Sequence, residues 1–208
     1  MTMNKYEVVR RNYNSVNAEL HNKYDPVKEF KDELEYFASQ LPQGAKVLVI
    51  GGVASECNFL IEKGFEVTNV DVSSKMLTHI KHHSPETSLV EGSIHQFPTD
   101  RTFDGVLAVR SLIHIPLSDL DVVLNTIKRL LSPGGTFMSI YFTTNGSKPV
   151  EEEKSDELAD NADVIYYRVL YPMEHLAWMY DNIFEKEPVA STGKDMDKEE
   201  YLALSVKK

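Results

Sequence analysis

A short glycine turn follows one apolar run of the chain, and the residues with recognisable chemistry lie around it. The stretch "VLVIGGVASE" runs from Val47 to Glu56 and places two adjacent glycines, Gly51 and Gly52, after four apolar residues. A turn from a strand into a helix can bring backbone N–H groups close to a ligand, and the helix N-terminus adds a partial positive charge. The stretch therefore predicts a binding loop for a nucleotide or a related cofactor.

An acidic residue follows this turn at the spacing that is typical of ribose binding. Asp71 lies 20 residues after Gly51 and comes directly after the apolar stretch "EVTNV". An acid at the end of the second strand of such a unit often binds ribose hydroxyl groups. The alternative is that Asp71 caps the helix that opens with "SSKML", but Ser73 and Ser74 can already do so. We therefore favour ribose binding for Asp71.

The loop does not carry the glycine fingerprint of a nicotinamide dinucleotide site. Such a site uses the pattern G-x-G-x-x-G, in which each glycine allows a close backbone approach or a tight turn. The sequence here is "GGVASE", so two of the three glycines are missing. An NAD-dependent oxidoreductase is therefore disfavoured.

Predicted strands and helices alternate along the chain and position this loop. "KVLVI", "FEVTNVDV", "TSLVEG", "FDGVLAVRS" and "TFMSIYF" are predicted strands, and an apolar stripe at helical spacing runs from Leu117 to Leu131. Two last strands, "IFEKEPVAS" and "EEYLALSVKK", have no helix between them and should pair antiparallel. The pattern predicts an α/β fold with a doubly wound, mostly parallel, seven-stranded Rossmann-like sheet and a C-terminal antiparallel strand pair.

The sequence predicts a single domain over residues 1–208, with a helical N-terminal arm or lid over 1–40 and an α/β core over 45–208. In the arm, Asp25 and Pro26 are residue types that begin a helix. After the fifth strand, "SKPVEEEKSDELAD" is predicted to be a solvated loop or a short helix. "PMEHLAWMYDN" is predicted to be the last helix.

The composition limits the classes of partner. The 208 residues carry a formal net charge of −10, which argues against a nucleic-acid or anionic-membrane surface, because phosphate binding needs clustered Lys and Arg. No apolar run approaches the roughly 20 residues that span a bilayer, and the first residues lack the apolar segment of a signal peptide. The single cysteine, Cys57, fits a reducing compartment. We therefore expect a cytoplasmic protein that binds neither nucleic acid nor membrane.

The order of these segments resembles the class I S-adenosylmethionine-dependent methyltransferase family, in particular its small, stand-alone bacterial-type members. The likeness runs from about Tyr13 to the C-terminus and is carried by "GFEVTNVDVSSKML", "FDGVLAVRSLIHIP", the "LLSPGG" turn and the C-terminal strand pair. It implies methyl transfer from S-adenosyl-L-methionine to an oxygen, nitrogen or carbon atom of a small-molecule acceptor, with S-adenosyl-L-homocysteine as the product. We expect a monomer or a homodimer.

The resemblance also implies roles for single residues around the cofactor. The positions that it assigns to cofactor binding are Tyr13, Gly51, Gly52, Ala54, Ser55, Asp71, Val72, Met76, Ser93, Ile94, Arg110 and Ser111. Asp71 falls on the acid that binds the ribose hydroxyls, and Val72 and Met76 fall on residues that pack near the adenosine. Ser93 and Ile94, in "EGSI", fall beside the adenine.

Three residues in "VRSLIH" fall on the strand end that lines the methyl donor. Arg110, Ser111 and His114 are thereby placed near the reaction centre, and Tyr13 resembles a lid residue that covers the cofactor. His114 is the candidate catalytic base, and the alternative is that it caps or packs the next helix. Arg110 is expected to meet a carboxylate of a ligand or to form an ion pair with one of the many acids.

The sequence also departs from the family at the cofactor loop. Val49 stands where the family usually has an acid that helps to orient the methionine end of the cofactor, and Val53 and Ser55 stand on its second and third glycines. Ser93 replaces an aspartate that usually binds the adenine amino group. Glu56 or Glu91 can act in place of a missing acid. The departures leave open a second function, in which the chain is a non-catalytic or weakly cofactor-binding module, either a pseudoenzyme or an interaction protein.

Two clusters of other side chains have both a structural and a functional interpretation. His79, His82 and His83 are predicted to be a solvated cluster rather than a metal site, because no third ligand is evident near the pair that shares one helix face. We therefore expect no bound metal. Some members of the aromatic group are expected to wall an acceptor pocket, and Trp178 is expected to pack the last helix onto the sheet. The members of this group are Tyr141, Tyr166, Tyr167, Tyr171, Trp178 and Tyr180.

Overall fold

A computed structural model of the chain describes residues 4–15, 25–98, 100–155, 165–186, 188–194 and 200–208. The helices are α1 (Lys5–Ser15), α2 (Pro26–Glu29), α3 (Lys31–Ser39), α4 (Ala54–Glu62), α5 (Ser74–His83), α6 (Leu120–Leu130) and α7 (Met173–Phe184). The strands are β1 (Lys46–Ile50), β2 (Glu66–Asp71), β3 (Ser88–Glu91), β4 (Phe103–Val109), β5 (Leu131–Phe142), β6 (Val150–Ser155), β7 (Ile165–Leu170), β8 (Val189–Lys194) and β9 (Glu200–Lys207).

Seven of the strands form one sheet in the order β3-β2-β1-β4-β5-β9-β8. The first five strands pair in parallel, whereas β9 pairs antiparallel with both β5 and β8. The order along the chain reverses between β1 and β4, and ligands of such sheets bind outside the carboxyl ends of the strands at this switch point. The predicted seven-stranded, doubly wound sheet with its C-terminal antiparallel pair is confirmed.

The apolar run of β1 is explained by burial on both faces of the sheet. Leu48 and Ile50 belong to one core cluster, and Val47 and Val49 belong to the cluster on the other face. Successive strand residues point to opposite faces, so a central strand needs apolar residues at every position. The continuous run "KVLVI" is therefore the sequence signature of the strand that carries the glycine loop.

The N-terminal arm is helical over the residues that the structure describes. The Asp25 side chain accepts a hydrogen bond from the Val27 N–H at 3.2 Å, and Pro26 occupies the first turn of α2. The helix therefore begins where the sequence predicts, although it breaks at Phe30 before α3 continues. Among the described residues, no helix combines the length and the apolar character that a membrane span needs.

One segment of the acidic stretch differs from its prediction. Residues 150–155 form strand β6, which pairs antiparallel with β7, so the predicted loop or short helix is wrong there, and residues 156–164 lie outside the described part of the chain. A cross-strand charge pair accompanies this backbone pairing, since Arg168 Nε donates to Glu152 Oε2 at 3.1 Å. The Arg168 guanidinium also lies 5.1 Å from the centre of the Phe142 ring, which joins this hairpin to the end of β5.

The aromatic group divides into an interior set and one exposed member. Tyr141, Tyr171 and Tyr180 are fully buried, whereas the Trp178 side chain is 63% exposed. Helix α7 turns Leu176 and Tyr180 toward the core, and Trp178 lies on another face. The expectation that Trp178 packs this helix onto the sheet is therefore wrong, and the side chain of Tyr166 lies outside the described residues.

Candidate functional site

The glycine loop brings β1 close to the ends of two neighbouring strands. Gly51 has a left-handed backbone, with φ of +62°, and its N–H donates to the Val70 carbonyl at 2.8 Å. A Cβ at this position would lie 2.8 Å from Ser111 Cβ and 4.0 Å from Asp71 Oδ2. Glycine adopts this conformation without strain, and it has no Cβ that would collide with Ser111. Gly51, Asp71 and Ser111, which the sequence places at one site, are therefore adjacent at the switch point.

The second glycine lies against buried side chains. A Cβ on Gly52 would collide with Val49 Cγ1 and would lie 3.0 Å from Glu56 Oε2 and 3.2 Å from Asn69 Nδ2. The loop backbone therefore packs closely against β1, β2 and the first turn of α4. This contact explains why a glycine is needed at position 52 of this chain.

The Glu56 carboxylate caps the first turn of α4. Val53 has an extended backbone before the helix, and its N–H donates to Glu56 Oε2 at 2.8 Å. Such a bond from the third helical residue back to the N-cap is one half of a capping box. Ala54 is buried and Ser55 is half-buried in the same turn. Glu56 thus caps the helix that follows the glycine loop.

Asp71 ends β2 and points one carboxylate oxygen toward the glycine loop. Its Oδ1 accepts the Ser73 N–H at 2.7 Å, and Ser73 Oγ in turn accepts the Met76 N–H at 3.2 Å. Ser73 is therefore the N-cap residue of α5. The other carboxylate oxygen of Asp71, Oδ2, lies toward Gly51. Burial raises the pKa of the Asp71 carboxyl to about 6, although the backbone donors of Ser73 and Val72 oppose this shift.

The predicted adenosine residues lie beyond Asp71 on the same side of the sheet. Val72 is half-buried against the core cluster that contains Ile94, and Met76 is buried in the first turn of α5. The Gly92 N–H donates to the Asp71 carbonyl at 2.9 Å, so the end of β3 is fixed beside β2. The Ser93 hydroxyl is hydrogen-bonded to His95 Nδ1 at 2.7 Å.

Arg110 follows β4 with a left-handed backbone, at φ of 53°. Its Nη1 lies 3.1 Å from Glu29 Oε1, and its guanidinium lies 4.7 Å from the centre of the Phe142 ring. Both partners of this ion pair are largely buried. Of the two predicted alternatives, the ion pair with an acid of the chain is the one present, and it links α2 to the end of β4.

His114 is buried between the arm and β7. Its Nδ1 lies 2.7 Å from the Tyr167 carbonyl, which can only accept, so Nδ1 carries the proton. Burial lowers the pKa of His114 to about 4, and the neighbouring charges of Arg168 and Arg110 act in the same direction. The ring is therefore neutral at pH 7, and its Nε2 lone pair accepts the Tyr13 hydroxyl at 2.8 Å.

Helix α1 lies across the carboxyl ends of the strands. Besides Tyr13 on His114, Asn14 Oδ1 accepts the Ser73 hydroxyl at 2.8 Å, and the Tyr6 hydroxyl donates to Asp119 Oδ2 at 2.7 Å. The helix is thus fixed at both sides of the switch point. Tyr13, the predicted lid residue, lies on this helix and contacts His114.

Several residues of the site carry no local signal in the sequence. Glu29, Asn14 and Tyr167 have partners that lie 53 to 81 residues away along the chain. Glu56 stands at the third position of a predicted helix, and a capping-box acid is expected there. Glu91, the other acid that the sequence offers as a substitute, is exposed at the end of β3.

The histidine cluster remains at the surface of α5. The rings of His79 and His83 have centroids 4.3 Å apart. Within the described ranges, no three His, Cys, Asp or Glu side chains are grouped as a metal ion would require.

Comparisons with known proteins agree with this geometry. Residues 49–139 match a family described as "Methyltransferase domain". An uncharacterized methyltransferase of Alkaliphilus oremlandii (strain OhILAs) is 22% identical over 135 residues. That match covers 62% of this chain, and the chain spans 62% of the relative's length.

Solved structures show the same fold at low identity. The 1,6-didemethyltoxoflavin-N1-methyltransferase of Burkholderia thailandensis, solved with 1,6-didemethyltoxoflavin and S-adenosylhomocysteine, has a TM-score of 0.71 at 19% identity over 100% of this chain and 92% of its own. The CcbJ methyltransferase of Streptomyces caelestis has a TM-score of 0.66 at 17% identity, over 93% and 96%. The predicted resemblance to the class I S-adenosylmethionine-dependent methyltransferases is confirmed: residues 49–139 match the methyltransferase domain family, and the chain has the fold of the solved methyltransferases.

Proposed function

We propose that the protein transfers a methyl group from S-adenosyl-L-methionine to an oxygen, nitrogen or carbon atom of a small molecule and releases S-adenosyl-L-homocysteine. The observation that carries this proposal is the juxtaposition of Gly51 and Asp71. Gly51, which has no side chain, faces the carboxylate oxygen of the half-buried Asp71 at the switch point of the sheet. Ligands of this fold class bind at that position.

The residues around the loop fit the parts of the proposed cofactor. Asp71 Oδ2 is an acceptor for ribose hydroxyl groups, and the half-buried Val72 offers apolar surface to an adenine ring, with Met76 and Ile94 buried nearby. Bound S-adenosyl-L-methionine supplies an electrophilic methyl group on a positively charged sulfur. The task of the chain is then to hold this group in line with the acceptor and to exclude water, which is a positioning effect.

Tyr13 and His114 are proposed to complete the site from the lid side. A neutral imidazole with Nδ1 protonated can only accept at Nε2, so the Tyr13 hydroxyl is held by this lone pair. For an acceptor that must lose a proton, we propose the same lone pair as the base, reached when the acceptor displaces the Tyr13 hydroxyl. The low pKa of His114 keeps the lone pair unprotonated at pH 7.

Replacing Tyr13 by phenylalanine tests the lid. We expect the affinity for S-adenosyl-L-homocysteine to fall about 10-fold, because α1 loses its hydrogen bond to a buried histidine. Calorimetric titration measures this change. The matched control is Tyr6→Phe, which removes a tyrosine hydroxyl bond of the same helix to Asp119. Equal losses in the two variants would contradict a specific role for Tyr13.

We propose a small molecule as the acceptor. The Burkholderia thailandensis neighbour was solved with such a compound, and the net charge of −10 disfavours a nucleic-acid acceptor. A cytoplasmic location and a monomeric or homodimeric state belong to the same proposal and rest on the sequence.

The second candidate function is a module that keeps the fold without catalysis. Two observations favour it: the Val53 N–H is taken by Glu56, and the Ser93 hydroxyl is taken by His95. Either bond engages a polar group of the proposed site within the chain itself.

The deciding experiment supplies methyl-labelled S-adenosyl-L-methionine with a panel of small oxygen, nitrogen and carbon nucleophiles and measures S-adenosyl-L-homocysteine. Acceptor-dependent product formation that Asp71→Asn lowers is expected for an enzyme. Tight cofactor binding without product from any acceptor favours the module.

A further inference from the structure

Glu56 is a buried carboxylate with only half of its hydrogen-bonding capacity used. It is 2% exposed, and its Oε2 accepts the Val53 N–H at 2.8 Å. Its Oε1 is buried and has no hydrogen-bond partner among the described residues. Buried carboxylate oxygens are normally paired, because an unpaired one forfeits its hydration without compensation. We therefore expect Glu56 Oε1 to accept a hydrogen bond from a donor outside the described residues.

This carboxylate lies beside the position from which the family acid is missing. The space that a Cβ on Gly52 would enter is bounded by Val49 Cγ1 on one side and by Glu56 Oε2 on another. The Val49 side chain and the Glu56 carboxylate thus both lie next to Gly52. An acid at position 49 would reach this region from the strand, whereas Glu56 reaches it from the helix.

We propose that Glu56 takes the role of the acid missing at position 49 and binds the ammonium group at the methionine end of S-adenosyl-L-methionine. An ammonium group has three donors and no acceptor, which suits a carboxylate oxygen without a donor. The same side chain keeps the loop folded through Val53. The proposal rests on the proposed function, because it concerns the same cofactor.

Three charged or titratable groups surround this carboxylate. The Arg110 guanidinium favours its ionised form, whereas the Asp25 carboxylate disfavours it. The neighbouring Cys57 thiol stays protonated, because burial raises its pKa to about 12. Burial raises the pKa of Glu56 itself to about 8, so the ligand-free protein holds a largely neutral carboxyl at pH 7. Binding of a cation there is then expected to release a proton.

Glu56→Gln separates charge from shape, because the amide oxygen can still accept the Val53 N–H. We expect the affinity of the variant for S-adenosyl-L-homocysteine to fall about 10- to 100-fold at pH 7.5, the effect of losing one charged hydrogen bond. Its affinity for 5′-methylthioadenosine, which lacks the amino-acid end, should stay within about twofold of wild type. Calorimetric titration with both ligands gives the comparison. The matched control is Glu62→Gln, on the exposed end of the same helix.

The stability of the ligand-free protein provides a second readout with a definite sign. A carboxyl whose pKa is raised on folding binds its proton more tightly in the folded state, so the stability of the wild type falls as the pH rises from about 4.5 to about 8. Glu56→Gln removes this loss. Thermal unfolding at pH 8.5 should therefore show the variant to be more stable than wild type, whereas a purely structural role predicts a lower melting temperature.

The outcomes distinguish this inference from the proposed function. Equal S-adenosyl-L-homocysteine affinity in wild type and Glu56→Gln would overturn the role of Glu56 and leave the proposed function intact. Parallel losses for both ligands would also overturn it, since they indicate a disturbed loop. If the wild type binds neither ligand, the proposed function itself fails.

Discussion

Replacing Asp71 by asparagine is expected to lower the affinity for S-adenosyl-L-homocysteine about 100-fold, from the loss of a charged acceptor for the ribose hydroxyls. The variant can keep the Ser73 N–H bond through its amide oxygen, so the cap of α5 and the fold should be preserved. Calorimetric titration measures the affinity, and circular dichroism checks the fold. The matched control is Asp104→Asn, because Asp104 accepts the Lys46 N–H at the opposite end of the sheet.

The role of Asp71 also predicts the direction in which ligand affinity changes with pH. Because the pKa of Asp71 is raised to about 6, the carboxyl becomes protonated as the pH falls through 6, and the ribose loses its charged acceptor. Wild-type affinity for 5′-methylthioadenosine should therefore fall between pH 7 and pH 5, and that of Asp71→Asn should stay constant. An asparagine variant with wild-type affinity would remove Asp71 from the site.

Replacing Gly51 by alanine is expected to weaken cofactor binding strongly, because two effects act together. The left-handed backbone costs a residue with a Cβ about 1–2 kcal/mol. The new methyl group would also lie 2.8 Å from Ser111 Cβ and 4.0 Å from Asp71 Oδ2, inside the crevice between β1 and β4. We expect a loss of affinity of at least about 100-fold, measured by calorimetry, together with a lower melting temperature.

Gly44→Ala separates the two effects. Gly44 has a comparable backbone, with φ of +71°, and no atom lies within 4 Å of the position that a Cβ would take there. This variant should lose stability by the backbone cost alone and keep wild-type affinity. If Gly44→Ala weakened binding as strongly as Gly51→Ala does, the crevice at Gly51 would not be the ligand site.

The fold was predictable because its signals are local. The run "KVLVI" is apolar at every position after Lys46, since β1 is buried on both faces, and Asp71 follows its strand at a spacing set by one strand–helix–strand unit. Strand β6 was not predicted, because a run of acidic residues is typical of a solvated loop, whereas in the fold Glu152 is paired with Arg168 on the next strand. The exposure of Trp178 is consistent with helical spacing, because Trp178 lies off the face that carries Leu176, Tyr180 and Phe184.

The candidate site was predictable only in part, for the same physical reason. Gly51 and Asp71 follow strands, so the order of the elements brings them together. The bond between Tyr13 and His114 joins residues that are 101 positions apart, and no pattern in the sequence encodes it. Glu56 is an intermediate case: its helix position predicts a cap, but its buried, unpaired oxygen is visible only in the folded chain.

The central claim is that the altered loop still binds the cofactor, and calorimetric titration of the purified protein with S-adenosyl-L-homocysteine tests it most directly. Mass spectrometry should first establish that no cofactor copurifies. We expect one site per chain with a micromolar dissociation constant, because the carboxylates of Asp71 and Glu56 and the backbone at Gly51 remain in place. Absence of binding up to millimolar ligand would contradict the claim and favour the non-catalytic module.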